Sequence, residues 1–278
     1  MAMIKRQPTL RQKIEQSPSA QKALTIILPL ALGVLILIFC QTGLVHKILN
    51  TDSFTLPMPN RIIQIFTDNF GKIEKNMVST LEVAGIGLVA GSLIGYLAAI
   101  LASLIPGLGK GGLTAVGAFA SVPIVALAPV ISNWTKDISK DASFRSMVAK
   151  IIVVAIIAAA DMGLNAYRGL TEIKLYSDDL MKTYAAGPFR TFGKLRIPNS
   201  VPYVFTALKV SVPASVMTTI VSEYFAEYIT GVGRQIRENI VLAQYPTAWA
   251  YILAACIIGL VFYGILVLLQ SILLKRYH

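Results

Sequence analysis

From Ala248 to Leu274 the sequence carries no charged residue. A segment of that length and polarity cannot wrap a water-soluble core. At 1.5 Å of rise per residue, it spans the roughly 30 Å hydrocarbon of a bilayer. Five earlier apolar runs, at 23–40, 77–104, 113–131, 151–166 and 201–229, invite the same reading. Those at 77–104 and 113–131 readily supply the roughly 20 residues that a crossing needs. The run at 151–166 is short, and that at 201–229 is interrupted by Pro202, Lys209 and Pro213. Composition agrees: 55% of residues are hydrophobic and 14% charged, against about 25% charged in soluble domains. So few charges exclude a soluble enzyme or a nucleic-acid-binding domain. The net charge of +11 then reads as basic loops against anionic lipid. The expected fold is an all-α membrane protein of about six transmembrane helices.

Six crossings leave both termini on one side. Residues 1–22 hold Lys5, Arg6, Arg11, Lys13 and Lys22 and form a cytoplasmic N-terminal segment before the first helix at 23–40. No small-residue cleavage site follows that helix, so it reads as an uncleaved span. With the N-terminus inside, fourteen basic residues fall on the inner side and ten on the outer, the sign the positive-inside rule requires. An outer loop then covers 41–76, with a short interfacial helix from Arg61 to Phe70, and a core domain of five helices covers 77–274. Residues 132–150 form a second outer loop, with Lys136, Lys140, Arg145 and Lys150 as surface cations. Gly85, Gly87, Gly91 and Gly95 form a small-residue stripe suited to close helix packing. Cys40 and Cys256 lack the spacing of a metal site or disulfide framework and read as packing residues.

The inner segment 167–200 mixes charge with Tyr, Phe, Gly and Pro. A solvated connector has no need of these apolar residues, so the segment suggests a docking surface for a cytoplasmic partner. It reads Asp179-Leu180-Met181-Lys182-Thr183-Tyr184-Ala185-Ala186-Gly187-Pro188-Phe189-Arg190, closing at Leu195-Arg196-Ile197-Pro198. This stretch resembles the EAA loop of permease subunits of bacterial ABC importers. Asp179 stands in the Glu place, Leu180 and Met181 in the two Ala places, and Ala185 in the Gly place. None of the four is the consensus residue, but the spacing and the Pro ending fit. The segments Ser121–Pro129, Tyr167–Leu170 and Gly231-Val232-Gly233 are similar to the nitrate/sulfonate/taurine and thiamine-precursor branch.

The resemblance implies a type I importer permease in the bacterial inner membrane. Two permease subunits, identical or paralogous, form the pore. An ATP-binding cassette dimer docks on their loops, and an extracytoplasmic solute-binding protein delivers substrate. ATP and magnesium are then the ATPase's ligands, and this chain has no cofactor of its own. The coupling residues implied are Asp179, Leu180, Tyr184, Ala185, Gly187, Pro188, Phe189 and Arg190. No GxxxxGK[ST] occurs, and His46 and His278, the only histidines, offer no catalytic triad or metal site. The chain is expected to be no enzyme.

Ionisable residues at membrane depth default to functional hypotheses. Asp161 either lines the substrate path or pairs with Arg168. Lys209 gates or snorkels, and Glu82 reads as interfacial. Ser222, Glu223, Tyr224 and Glu227 cluster at one end of the fifth run. Glu223 matches the acidic position of the family's A-E-M segment. It either lines the path, with Tyr224 and Ser222, or braces Arg234 or Arg237, and for Glu227 the bracing reading is favoured. Two acids there fit a neutral or cationic heterocycle, such as a pyrimidine vitamin precursor, better than an anion. The alternatives are a nitrate-, sulfonate- or taurine-type anion, or a stand-alone secondary transporter or channel.

Overall fold

A computed structural model describes residues 18–105, 109, 111, 117, 121–226 and 228–276. The expectations for residues 1–17, Lys110, Glu227 and His278 fall outside it, as do most of residues 113–120. The described residues are helical, with no strand among them. They divide into two compact units, Met1–Gln64 and Ile65–His278.

The first unit contains α1 (Pro18–Gln41) and α2 (Leu44–Leu49). Gly43 ends the first helix with φ +75, a left-handed conformation that glycine adopts without a Cβ clash. His46 joins its ring Nε2 to the Leu56 carbonyl at 2.6 Å, closing the following turn on itself. There Asp52 accepts the Thr55 N–H at 2.9 Å. Hydrogen bonds from Thr55 hold the Asp52 carboxyl below the usual carboxylate range. Helix α3 (Pro59–Asp68) stands close to the interfacial helix expected at Arg61–Phe70. Its Ile65 and Phe66 belong to the second unit and pack on that unit's core.

Two long helices, α4 (Phe70–Leu104) and α6 (Ala142–Thr171), form the centre of the second unit. A Cβ at Gly91 would lie 2.3 Å from the Ala155 carbonyl oxygen, and one at Gly95 2.3 Å from that of Ala159. The two backbones therefore approach at four-residue steps where only glycine fits. Gly87 meets Val154 in the same row, whereas Gly85 faces open space and does not belong to the stripe. Matched numbers rise together on both helices, so α4 and α6 run parallel. The chain must then return to its starting end between them, through the region of α5 (Ile124–Trp134).

Here the expected spans change. The described helix nearest the expected span 113–131 is α5, of 11 residues, which Pro123 precedes and which runs on to Trp134. The run at 151–166 is not short: it is the middle of the 30-residue α6. Asp141 caps α6 by accepting the Ser143 N–H at 2.9 Å, so residues 142–150, expected in an outer loop, are its first turns. Likewise, the end of the expected outer loop 41–76 already belongs to α4.

Helix α9 (Ile197–Phe225) packs antiparallel to α6. Asn199 donates to the Gly169 carbonyl at 2.7 Å, and Ser211 donates to Asp161 Oδ2 at 3.3 Å. Pro202 and Pro213 sit inside α9 without ending it. Short α10 (Val232–Val241) and long α11 (Tyr245–Leu273) complete the unit. Val216, Val232, Tyr251 and Ile258 close a core with Ile73 and Ala84 of α4. Four helices are long and apolar enough to cross a membrane: α4, α6, α11 and the continuous helix Pro188–Phe225. Two shorter apolar helices, Ile27–Gln41 and Ile124–Trp134, occupy the positions of the first and third expected spans.

Candidate functional site

The segment between α6 and α9 is built from two short helices. Helix α7 (Ser177–Thr183) begins with two acids, Asp178 and Asp179, and has Lys182 in its last turn, which suits the helix dipole. It ends in a capping motif: the Ala186 N–H donates to the Met181 carbonyl at 3.0 Å and the Ala185 N–H to that of Lys182 at 2.8 Å. This motif needs a left-handed residue at its penultimate position, and Ala185 supplies it with φ +51. The importer pattern has glycine at this place, and the geometry gives the physical reason.

Gly187 then precedes α8 (Pro188–Thr191), where Pro188 occupies the first helical turn and starts it cleanly. A π-helical turn, Phe192–Arg196, joins α8 to α9 without a break. Leu175, Tyr176, Leu180, Tyr184 and Phe189 are all exposed, Phe189 to 93%. Exposed apolar side chains grouped on a charged loop mark an interaction surface. Asp179 pairs with Lys182 at 3.1 Å, and Arg196 reaches Asp178 at 3.6 Å. Arg190 is exposed. Between this loop and the end of α4 lies an open groove of about 630 Å³, lined by Ser103, Leu104, Lys182, Phe189 and Arg196 among others.

At the far end of α9 the chemistry is reversed. Glu223 has no accessible surface. Thr80 Oγ1 is 3.0 Å from each Glu223 oxygen, and the Gly233 N–H donates to Oε2 at 2.9 Å. The Val232 N–H donates in turn to Thr80 Oγ1 at 2.9 Å, and the Gly231 N–H to Asn76 Oδ1 at 3.0 Å. Gly231 has φ +94, and a Cβ on it would meet the Glu223 carboxyl at 2.1 Å. The Gly231-Val232-Gly233 turn is thus folded around this carboxylate. The ammonium of Lys150, 3% exposed on α6, interacts electrostatically with it.

These contacts replace the expected ones. Arg234 pairs with Glu238 at 2.7 Å, not with Glu223, and Arg237 lies 5.9 Å over the Tyr224 ring. Sealed inside one subunit, Glu223 meets no open path in this conformation. Ser222 is buried beside it, its hydroxyl without a partner, and Tyr224 is half-buried. Asp161 takes Ser211 as its partner rather than Arg168. Lys150, expected as a surface cation, is the residue missed. Its signal was positional: Ser146 and Lys150 continue, at i and i+4, the buried face of the apolar run that follows.

A family model for the inner membrane component of binding-protein-dependent transport systems matches residues 87–278. The chain is 23% identical over 222 residues to the formylaminopyrimidine transport permease protein ThiX of Halalkalibacterium halodurans, covering 80% of this chain and 85% of that one. It is 25% identical over 196 residues to a probable ABC transporter permease protein of Haemophilus influenzae, covering 70% and 75%. Its fold is similar to that of the MetNI methionine ABC transporter in inward-facing conformations. The TM-score is 0.56 at 17% identity, over 70% of this chain and 94% of that one. With four long apolar helices and a match over most of its length, the chain is a multi-pass membrane protein of the binding-protein-dependent transport system inner membrane component family.

Proposed function

We propose that this chain forms half of the substrate pathway of an ATP-driven importer and is coupled to a cytoplasmic ATPase through residues 179–198. The supporting observation is the loop itself: exposed Tyr184 at the turn that closes α7, and exposed Phe189 on α8, which continues through a π turn into membrane-spanning α9. Such aromatic anchors dominate interface energetics. Force applied at α8 reaches the membrane without crossing a flexible linker, as rigid-body coupling requires. In this reading both termini face the cytoplasm, and ATP is hydrolysed by separate subunits. A second permease, identical or paralogous, completes the pore, and an external binding protein supplies the solute. Likeness to the ThiX permease favours a pyrimidine-type vitamin precursor as substrate.

The test is direct. Phe189→Asp and Tyr184→Asp, each in the complex purified with its native ATPase, should abolish solute-stimulated ATP hydrolysis and uptake in proteoliposomes. Both proteins should remain folded in detergent. Undiminished uptake in both variants refutes the assignment of the loop.

A further inference from the structure

A second cavity, of about 470 Å³, lies at the end of the bundle opposite the loop. It opens between the end of α5, the end of α9 and the first turns of α10. Its lining includes Ser132, Asn133, Lys136, Phe225, Arg234 and Arg237. Three cations therefore face one concavity.

Two of the acids nearby, Glu238 and Glu223, are already engaged. Glu238 is held by Arg234 at 2.7 Å, and Glu223 is sealed behind the Gly231–Gly233 turn with Lys150 as its counter-charge. Among the described residues, no carboxylate pairs with Lys136 or Arg237. The guanidiniums are also positioned rather than loose. Arg234 donates to the Ala226 carbonyl at 3.1 Å, and its side chain is only 13% exposed. Its buried Nε–H has no acceptor. Arg237 is steadied over the Tyr224 ring. Of the two acids that suggested a cationic or neutral solute, Glu223 is thus withdrawn from the surface, and the described charges that line the cavity are positive.

We propose that this cavity is a binding site for a small oxyanion group, a carboxylate, sulfonate or phosphate. Arg237 and Lys136 supply the charge, and Asn133 and Ser132 supply neutral donors. Planar guanidinium forks suit such groups because two parallel N–H bonds match two oxygens. That this end faces outward rests on the importer reading; the binding chemistry does not.

The experiment uses the purified full-length chain in a zwitterionic detergent, with sulfate and acetate as probes at constant ionic strength. Trp134, exposed at the end of α5 beside Asn133, reports by fluorescence, and thermal melting reports independently. Saturable binding is expected. Arg237→Gln and Lys136→Gln should each weaken it about tenfold, the equivalent of roughly 1.4 kcal/mol for one charge-assisted hydrogen bond, and Arg237→Lys should recover part of the loss. A parallel titration in nanodiscs with and without phosphatidylglycerol distinguishes the sources. Competition by the anionic lipid identifies a headgroup phosphate as the natural occupant, and its absence a free solute anion. No saturable response, or equal responses in wild type and both charge-removing variants, overturns the proposal. Because no ATPase or uptake is involved, that result would leave the importer reading standing.

Discussion

The two ends of α9 use polar and apolar groups in opposite ways. At its start, apolar side chains stand in the open on a charged loop. At its finish, a carboxylate and an ammonium are enclosed among apolar helices. An exposed Phe189 contributes nothing to holding this subunit together, so its energy is available to a partner. A buried Glu223 is occupied by Thr80 and Gly233, so its energy is already used within the subunit. The position of an unusual residue along one helix thus says little about its role. Its accessible surface and partners say much more.

The sharpest way to break this contrast is at the buried end. Glu223→Gln leaves Lys150 without a counter-charge and turns an amide toward donors. Leaving the Thr80 hydroxyl and the Gly233 N–H without that acceptor costs about 1–3 kcal/mol for each buried donor, read as a large fall in melting temperature. Adding Lys150→Met should return part of the loss, and additive losses in that double-mutant cycle would show that the two charges do not interact. Gly231→Ala should also destabilise strongly, because its Cβ would be driven into the carboxylate.

At the exposed end the same scale of disruption should fall on coupling instead. Phe189→Asp should leave melting within about 0.5 kcal/mol of wild type, the usual range for surface changes, while coupled ATP hydrolysis disappears. A melting shift as large as that of Glu223→Gln would erase the distinction between the two ends.

Ala185→Gly sharpens the loop rather than breaking it. Relieving a left-handed alanine should stabilise the end of α7 by up to about 1 kcal/mol, seen as slower amide hydrogen exchange at Ala185 and Ala186. The smallest effect concerns Asp52, whose carboxyl is held low by Thr55. The stability from that turn is complete above the ordinary carboxylate range and is lost as pH falls through the Asp52 midpoint. Asp52→Asn should remove this pH dependence, checked by comparing melting across acid pH.

The order of helices and the exposed apolar loop were legible in the sequence because apolar length and the placement of Pro198 and Gly187 are local signals. The helix boundaries were less so. Residues 142–150 look like a loop because Lys150, Arg145 and Ser146 are polar, yet Asp141 caps a helix there and α9 offers a partner for Lys150's charge. The partners of Glu223 were harder still. Thr80 lies 143 residues away, and the Gly233 donor is a backbone group carrying no side-chain signature. Arg234 and Arg237 were the visible candidates, but the left-handed Gly231 turns the backbone N–H groups inward and carries both arginines to another face. The anion-facing cavity followed the same pattern: sequence counts charges, and only packing decides which remain accessible.

The π turn at Phe192–Arg196 gives the junction of α8 and α9 a mechanical property of its own. A π turn holds one residue more than the α-helix it interrupts, and one residue corresponds to about 100° of helix rotation. If the turn tightened to α-helix, α8 would swing about the axis of α9 by that angle, and Phe189 would sweep from one flank of the helix to another. The junction would then behave as a gear with two teeth, converting a change in backbone register into a change in the direction that α8 faces.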